Sequence, residues 1–143
     1  MTRFEGPAES PGFLLWHVTL RWQRAMTAVL APFGLTHVQF VLLACAWWLN
    51  HQGHTPNQFE LATQAGTDVK MTSQVVRKLE AAGLLERRVD PQDSRARALQ
   101  VTSRGAELAR DAIKAVESAD EAFFRTTNTA SLVRILSKLA GVS

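Results

Sequence analysis

Apolar positions fall into helical rows along most of the chain. Leu14, Val18, Trp22, Ala25 and Val29 recur at intervals of three and four, with Leu15, Met26 and Leu30 on neighbouring rows. That spacing predicts an amphipathic helix from Phe13 to about residue 31, stopped by Pro32 and Gly34. Residues 1–12, with Gly6, Pro7, Pro11 and Gly12, read as an arm ahead of it. Thr36 and Gln39 form a capping-box pattern. The helix they open, about 37–49, is apolar almost all round, which assigns it to the interior. Thr55, Pro56 and Gln58 give a second start signal, with Thr at the cap and Pro at the first helical position. Gly66 stops this short helix, and Asp68 can cap the next one, about 69–82. Thr72, Val75, Val76, Leu79 and Ala82 line one side of that helix. Lys70, Ser73, Gln74, Arg77 and Lys78 fall mostly on the other, and Gly83 stands just past its end.

Beyond Gly83 the period changes. Leu84–Val89 suits a short strand, Asp90–Ser94 is turn chemistry, and Leu99 and Val101 alternate with Ala98 and Gln100 as a second strand. Thr102 can cap a long helix from 103 to about 124, and a last helix follows Asn128 and Thr129. Leu132, Ile135, Leu136 and Leu139 form an i, i+3, i+4, i+7 stripe on it. The expected fold class is mainly α with a small β-hairpin wing: a winged helix-turn-helix with further helices before and after it.

Composition narrows this picture without changing it. The 143 residues, 46% hydrophobic and 20% charged, make one ordinary domain able to fold without disulfides or metal. The single cysteine, Cys45, excludes an internal disulfide framework and suits a reducing cytoplasm, the expected location. The longest apolar run, Phe40–Leu49, is too short to span a bilayer, and no export signal is visible in the first ten residues. The net charge of +3 is unevenly spread: residues 1–69 carry −1, residues 111–143 carry zero, and residues 70–110 carry +4. A localised basic stretch is the footprint of an anionic partner, although a merely solvated basic surface would look the same.

Two short helices joined by a tight turn and followed at once by a basic hairpin fit double-stranded DNA. One helix enters the major groove and the hairpin crosses phosphates toward the minor groove. Gln74 and Arg77 can bond bidentately to base edges, and Lys70 and Ser73 can hold phosphates. Three stretches then carry a family resemblance. They are Leu79–Arg87, the wing segment Asp93-Ser94-Arg95-Ala96-Arg97, and Leu99-Gln100-Val101-Thr102-Ser103-Arg104-Gly105. Together with Leu35–Gln39 they resemble the MarR family of bacterial transcription regulators, over about residues 13–140. The resemblance implies a single MarR-like domain over 1–143. Dimerisation helices at 13–31 and 103–140 would flank a winged helix-turn-helix part at 36–101. It implies a homodimer on an inverted-repeat operator, usually repressing. It gives recognition roles to Lys70, Ser73, Gln74 and Arg77 and wing roles to Arg95 and Arg97. Asp93 sits where the family's wing Asp orients an Arg, or is a plain turn residue after Pro91. Leu132, Ile135, Leu136 and Leu139 would serve dimerisation, or pack within the chain.

Many members of the family respond to small aromatic ligands. Trp16, His17, Phe40 and Trp48 are the pocket candidates, although aromatic residues serve the core more often than a pocket. Cys45 lies mid-helix in an apolar run, which favours a structural thiol over a redox sensor. His51 and His54 lack a visible Cys, Asp or Glu to complete a zinc set. No cofactor is expected, and no nucleophile–base motif or phosphate-binding Gly loop points to an enzyme. The competing readings are a winged-helix protein-interaction module without DNA binding and a Cys-based redox-sensing regulator.

Overall fold

The computed structural model describes residue 3, residues 5–90 and residues 93–142; of residues 90 and 93–96 it describes the backbone alone. Helix α1 (Pro11–Leu30) starts two residues before the predicted position. Ser10 caps it by accepting the Phe13 N–H at 3.3 Å, and Pro11 suits the first turn. A single 3-10 turn, Pro7–Glu9, occupies part of the segment read as an arm. A second, Ala31–Phe33, hands the chain to Gly34 in the left-handed region.

Helix α2 (His37–His51) opens with the predicted capping box. Thr36 Oγ1 accepts the Gln39 N–H at 3.2 Å, and Gln39 Oε1 accepts the Thr36 N–H at 3.0 Å. It buries Phe40, Leu42, Leu43 and Ala46, and packs against α1, α3, α4, β2 and α5. Helix α3 (Gln58–Ala65) is capped by Asn57, not Thr55. Asn57 and Glu60 exchange side-chain to backbone hydrogen bonds of 2.8 and 2.9 Å, a complete box that Thr55 cannot form. Pro56 stays outside the helix because its carbonyl accepts the Leu99 N–H at 2.8 Å.

Helix α4 (Val69–Ala81) is capped as predicted, with Asp68 accepting the Met71 N–H at 2.7 Å. Thr72, Val75, Val76 and Leu79 are buried, whereas Ala82, at the C-cap, is exposed. Strands β1 (Leu85–Asp90) and β2 (Asp93–Val101) form one antiparallel pair, with Leu85 opposite Val101, Arg87 opposite Leu99 and Val89 opposite Arg97. Asp93 and Ser94 belong to β2 rather than to the turn, because the ladder resumes at Asp93 after an irregularity between Val89 and Asp90.

Helix α5 (Ser103–Phe123) runs back across α1 and α2, burying Gly105, Ala109, Ala112 and Val116. Its start is bound to the end of α4. Thr102 Oγ1 donates to the Gly83 carbonyl at 2.7 Å, and the Thr102 N–H donates to the Leu84 carbonyl at 3.0 Å. The backbones approach so closely that a Cβ on Gly105 would overlap the Leu84 carbonyl oxygen. One core unites Met26, Leu30, Leu42, Leu43, Leu61, Val76, Leu79 and Leu99. Burying such side chains contributes about 1.5–3 kcal/mol each.

Helix α6 (Thr129–Ala140), capped by Asn128, buries no residue. Ile135, Leu136 and Leu139 are exposed and Leu132 is half-buried. The N-terminal half of α1 is likewise uncovered at Phe13, Leu14, Leu15, Trp16 and Val18. No single helix among the described residues is long and apolar enough to cross a membrane.

A candidate nucleic-acid interface on α4 and the wing

The turn between α3 and α4 sets the angle of α4. Gly66 ends α3 at φ 73°, a conformation that favours glycine. Thr67 Oγ1 and Thr72 Oγ1 then lie 2.7 Å apart, and Thr72 Oγ1 also donates to the Asp68 carbonyl at 2.7 Å. Thr72 is fully buried, so its hydroxyl needs these partners. With Thr72, Val75, Val76 and Leu79 turned inward, helical geometry sends Lys70, Gln74, Arg77 and Lys78 outward, all exposed, while Ser73 is half-buried. Among the described residues no carboxylate pairs with Lys70, Arg77 or Lys78. Their charge is therefore available to a partner.

The wing lies beside this face and is fastened to it. Arg87 on β1 donates from Nε to Glu80 of α4 at 2.7 Å and from its terminal nitrogen to Gln58 of α3 at 3.4 Å. Arg88 pairs with Glu86 two residues away. Strand alternation turns Arg87 and Arg88 to opposite sides of the hairpin, and both already hold carboxylates. Arg97 is exposed on β2, opposite Val89. The side chains of Asp93 and Arg95 lie outside the described residues. A concavity of about 370 Å³ separates α3, the start of α4 and the wing, with Phe59 and Val69 in its wall and Arg87 and Arg97 at its edge.

Behind the interface, α2 grips the wing through Asn50. Its amide donates to the Leu99 carbonyl at 3.2 Å and to the His54 carbonyl at 3.0 Å, and its Oδ1 accepts the Val101 N–H at 2.8 Å. The sequence offers no local signal for this role, because Asn50 reads as one residue of a helix end. Trp22 Nε1 donates to Asp120 at 2.8 Å, joining α1 to α5, and its ring meets His37 edge-on at 5.0 Å. Burial pushes the His37 imidazole below its usual range, against a smaller upward pull from the Asp120 carboxylate.

The ligand candidates are scattered by burial. Phe40 is core, Trp48 is half exposed, and Trp16 is 62% exposed. His17 is also exposed, with its ring against Phe13 at 4.5 Å. A concavity of about 480 Å³ lies elsewhere, where α5 meets α6, walled by Glu117, Asp120, Glu121, Phe124, Arg125 and Thr129. Cys45 is half-buried, and burial pushes its thiol up, the opposite of what activates a sensor cysteine. His51 stacks on Trp47, while α3 brings Glu60 to 3.1 Å from His54, an acidic neighbour that the linear spacing hid. No cluster of three metal-ligating side chains occurs among the described residues.

Known proteins share this arrangement. The sequence profile of the MarR family matches residues 35–96, from the end of the α1–α2 turn into the wing. A Bacillus subtilis (strain 168) protein, the uncharacterized HTH-type transcriptional regulator YdcH, is 46% identical over 86% of this chain and 84% of its own length. The structure is similar to that of CouR from Rhodococcus jostii RHA1 bound to p-coumaroyl-CoA. There the TM-score is 0.84 and the identity 27%, covering 95% of this chain and 93% of that one. It is also similar to the transcriptional repressor CouR bound to a 23-mer DNA duplex, with a TM-score of 0.80 and 26% identity over 99% and 97% of the two chains. The outward basic face of α4, the wing fastened beside it and these likenesses together place the chain in the MarR family of helix-turn-helix transcriptional regulators.

Proposed function

We propose that the protein is a homodimeric, cytoplasmic repressor that binds an inverted-repeat operator in double-stranded DNA. The observation that carries this is the outward face of α4. Lys70, Gln74 and Arg77 stand exposed on one side of a helix held by its buried face, next to a basic hairpin. Gln74 and Arg77 would address base edges, Lys70 and Ser73 phosphates, and Arg95 and Arg97 the backbone beyond the wing, with Asp93 orienting an arginine. Residues 36–101 would form the reading head and 13–31 with 103–140 the dimer region. The uncovered apolar sides of α1 and α6 support that division, with Leu132, Ile135, Leu136 and Leu139 meeting a second copy. The similar protein CouR has been solved both on DNA and with p-coumaroyl-CoA. That supports control by a ligand carrying an aromatic group, with Trp16, His17, Phe40 and Trp48 the side chains to test for a small aromatic ligand.

Selection of genomic fragments by the full chain tests the reading. It should return paired half-sites about one helical turn apart. Leu139→Asp should shift the sedimentation coefficient toward a monomer and weaken operator binding with it. A chain that sediments as a monomer at micromolar concentration and enriches single half-sites would refute the proposal.

A further inference from the structure

The first turn of α4 is not uniformly polar. Val69 and Met71 are 51% and 41% exposed, and neither belongs to the core. Successive helical residues point about 100° apart, so the two flank Lys70, one on each side. Val69 turns toward the concavity it shares with Phe59, Arg87 and Arg97. Two hydrocarbon side chains thus sit at the leading end of a helix whose outward polar residues are Lys70, Gln74, Arg77 and Lys78. A second copy of the chain is a poor cover for them, because a two-fold contact through this face would bring Lys70 and Arg77 against their own like charges. DNA suits them better. The N-terminal residues of a recognition helix reach base edges, and the apolar group those edges present in the major groove is the thymine C5 methyl.

We infer that Val69 and Met71 read thymine methyl groups, so that each half-site carries thymine beside the position Lys70 reaches. The inference rests on the DNA-binding reading above. The test begins by selecting duplexes from a random pool with the full-length protein. Each thymine of the selected half-site is then replaced singly by deoxyuridine, which deletes the methyl and keeps every hydrogen-bonding group. One or more positions should lose about fourfold in affinity, the effect of one buried methyl-sized group. That loss should disappear in Val69→Ala or in Met71→Ala, both substitutions at exposed positions. The inference is overturned if every deoxyuridine duplex binds as tightly as its parent, or if the loss persists in both variants. Failure to enrich any duplex would instead overturn the DNA-binding reading itself, and this inference with it. The deoxyuridine arm alters only the DNA, so it stands even if a variant folds poorly.

Discussion

Asn50 accepts the Val101 N–H at 2.8 Å, and so a helix packed into the core holds the strand that returns from the wing to α5. The same amide donates to the Leu99 carbonyl, two residues back on that strand. Asn50→Ala leaves both backbone groups, part-buried, without their partner. Stability should fall by about 1–3 kcal/mol, the usual cost of an unsatisfied buried polar group. Urea unfolding measures the loss, and hydrogen exchange at the Val101 amide localises it. A variant with parental stability and a protected Val101 amide would mean that the strand holds its place without α2.

Gly105 makes two principles disagree. Helix propensity favours Ala over Gly by about 1 kcal/mol. The Leu84 carbonyl leaves no room for a Cβ at that position. Overpacking against backbone typically costs about 1–3 kcal/mol and here prevails. Gly105→Ala should therefore lower the thermal midpoint by overpacking, whereas Ala106→Gly, at the neighbouring half-buried position, should lower it mainly by propensity. A midpoint raised by Gly105→Ala would show that α5 can move off Leu84 cheaply.

His37 gives stability a pH dependence. Its imidazole lies below the ordinary value of 6.5 in the folded chain, chiefly through burial. The unfolded chain therefore binds the proton more readily, and stability rises with pH across the window between the folded value and 6.5. The contribution is complete above that window and is lost as pH falls through it. Asp120→Asn removes the opposing upward pull, so the His37 titration followed by NMR should move to lower pH. A shift to higher pH would assign the dominant influence to some other group.

On α4, Gln74→Ala and Arg77→Ala should each relax discrimination between operator variants by about 1–3 kcal/mol per lost base contact. Arg95→Ala should instead weaken all duplexes alike and flatten the salt dependence by about one phosphate's worth. Equal losses on specific and random duplexes for all three would reassign Gln74 and Arg77 to the backbone.

The local signals were legible wherever chemistry is local. Thr36, Gly66, Asp68, Thr102 and Asn128 act through neighbours three or four residues away, and all stand where the sequence places them. The cap of α3 was misread because Thr55 and Pro56 imitate a helix start. Pro56 is occupied by Leu99, 43 positions along the chain. The wing's attachment was invisible for the same reason, since Asn50 with Val101 and Glu80 with Arg87 meet only once the helices have packed. The outward face of α4 could be read from periodicity, because burial of Thr72, Val75, Val76 and Leu79 fixes which residues remain outside. Which aromatic ligand candidates lie in the interior could not, because periodicity does not distinguish Phe40 in the core from Trp16 in solvent.

Helix α6 has twelve residues and not one of them buried. Isolated helices of fewer than about 12–15 residues are marginal in water, whatever their caps. If a second copy covers Ile135 and Leu139 as proposed, folding of the chain's last helix and pairing of two chains become a single event. Dilution below the dissociation constant should melt helical signal as it separates the protomers, and the cell's concentration of this regulator would set how much of it is fully folded.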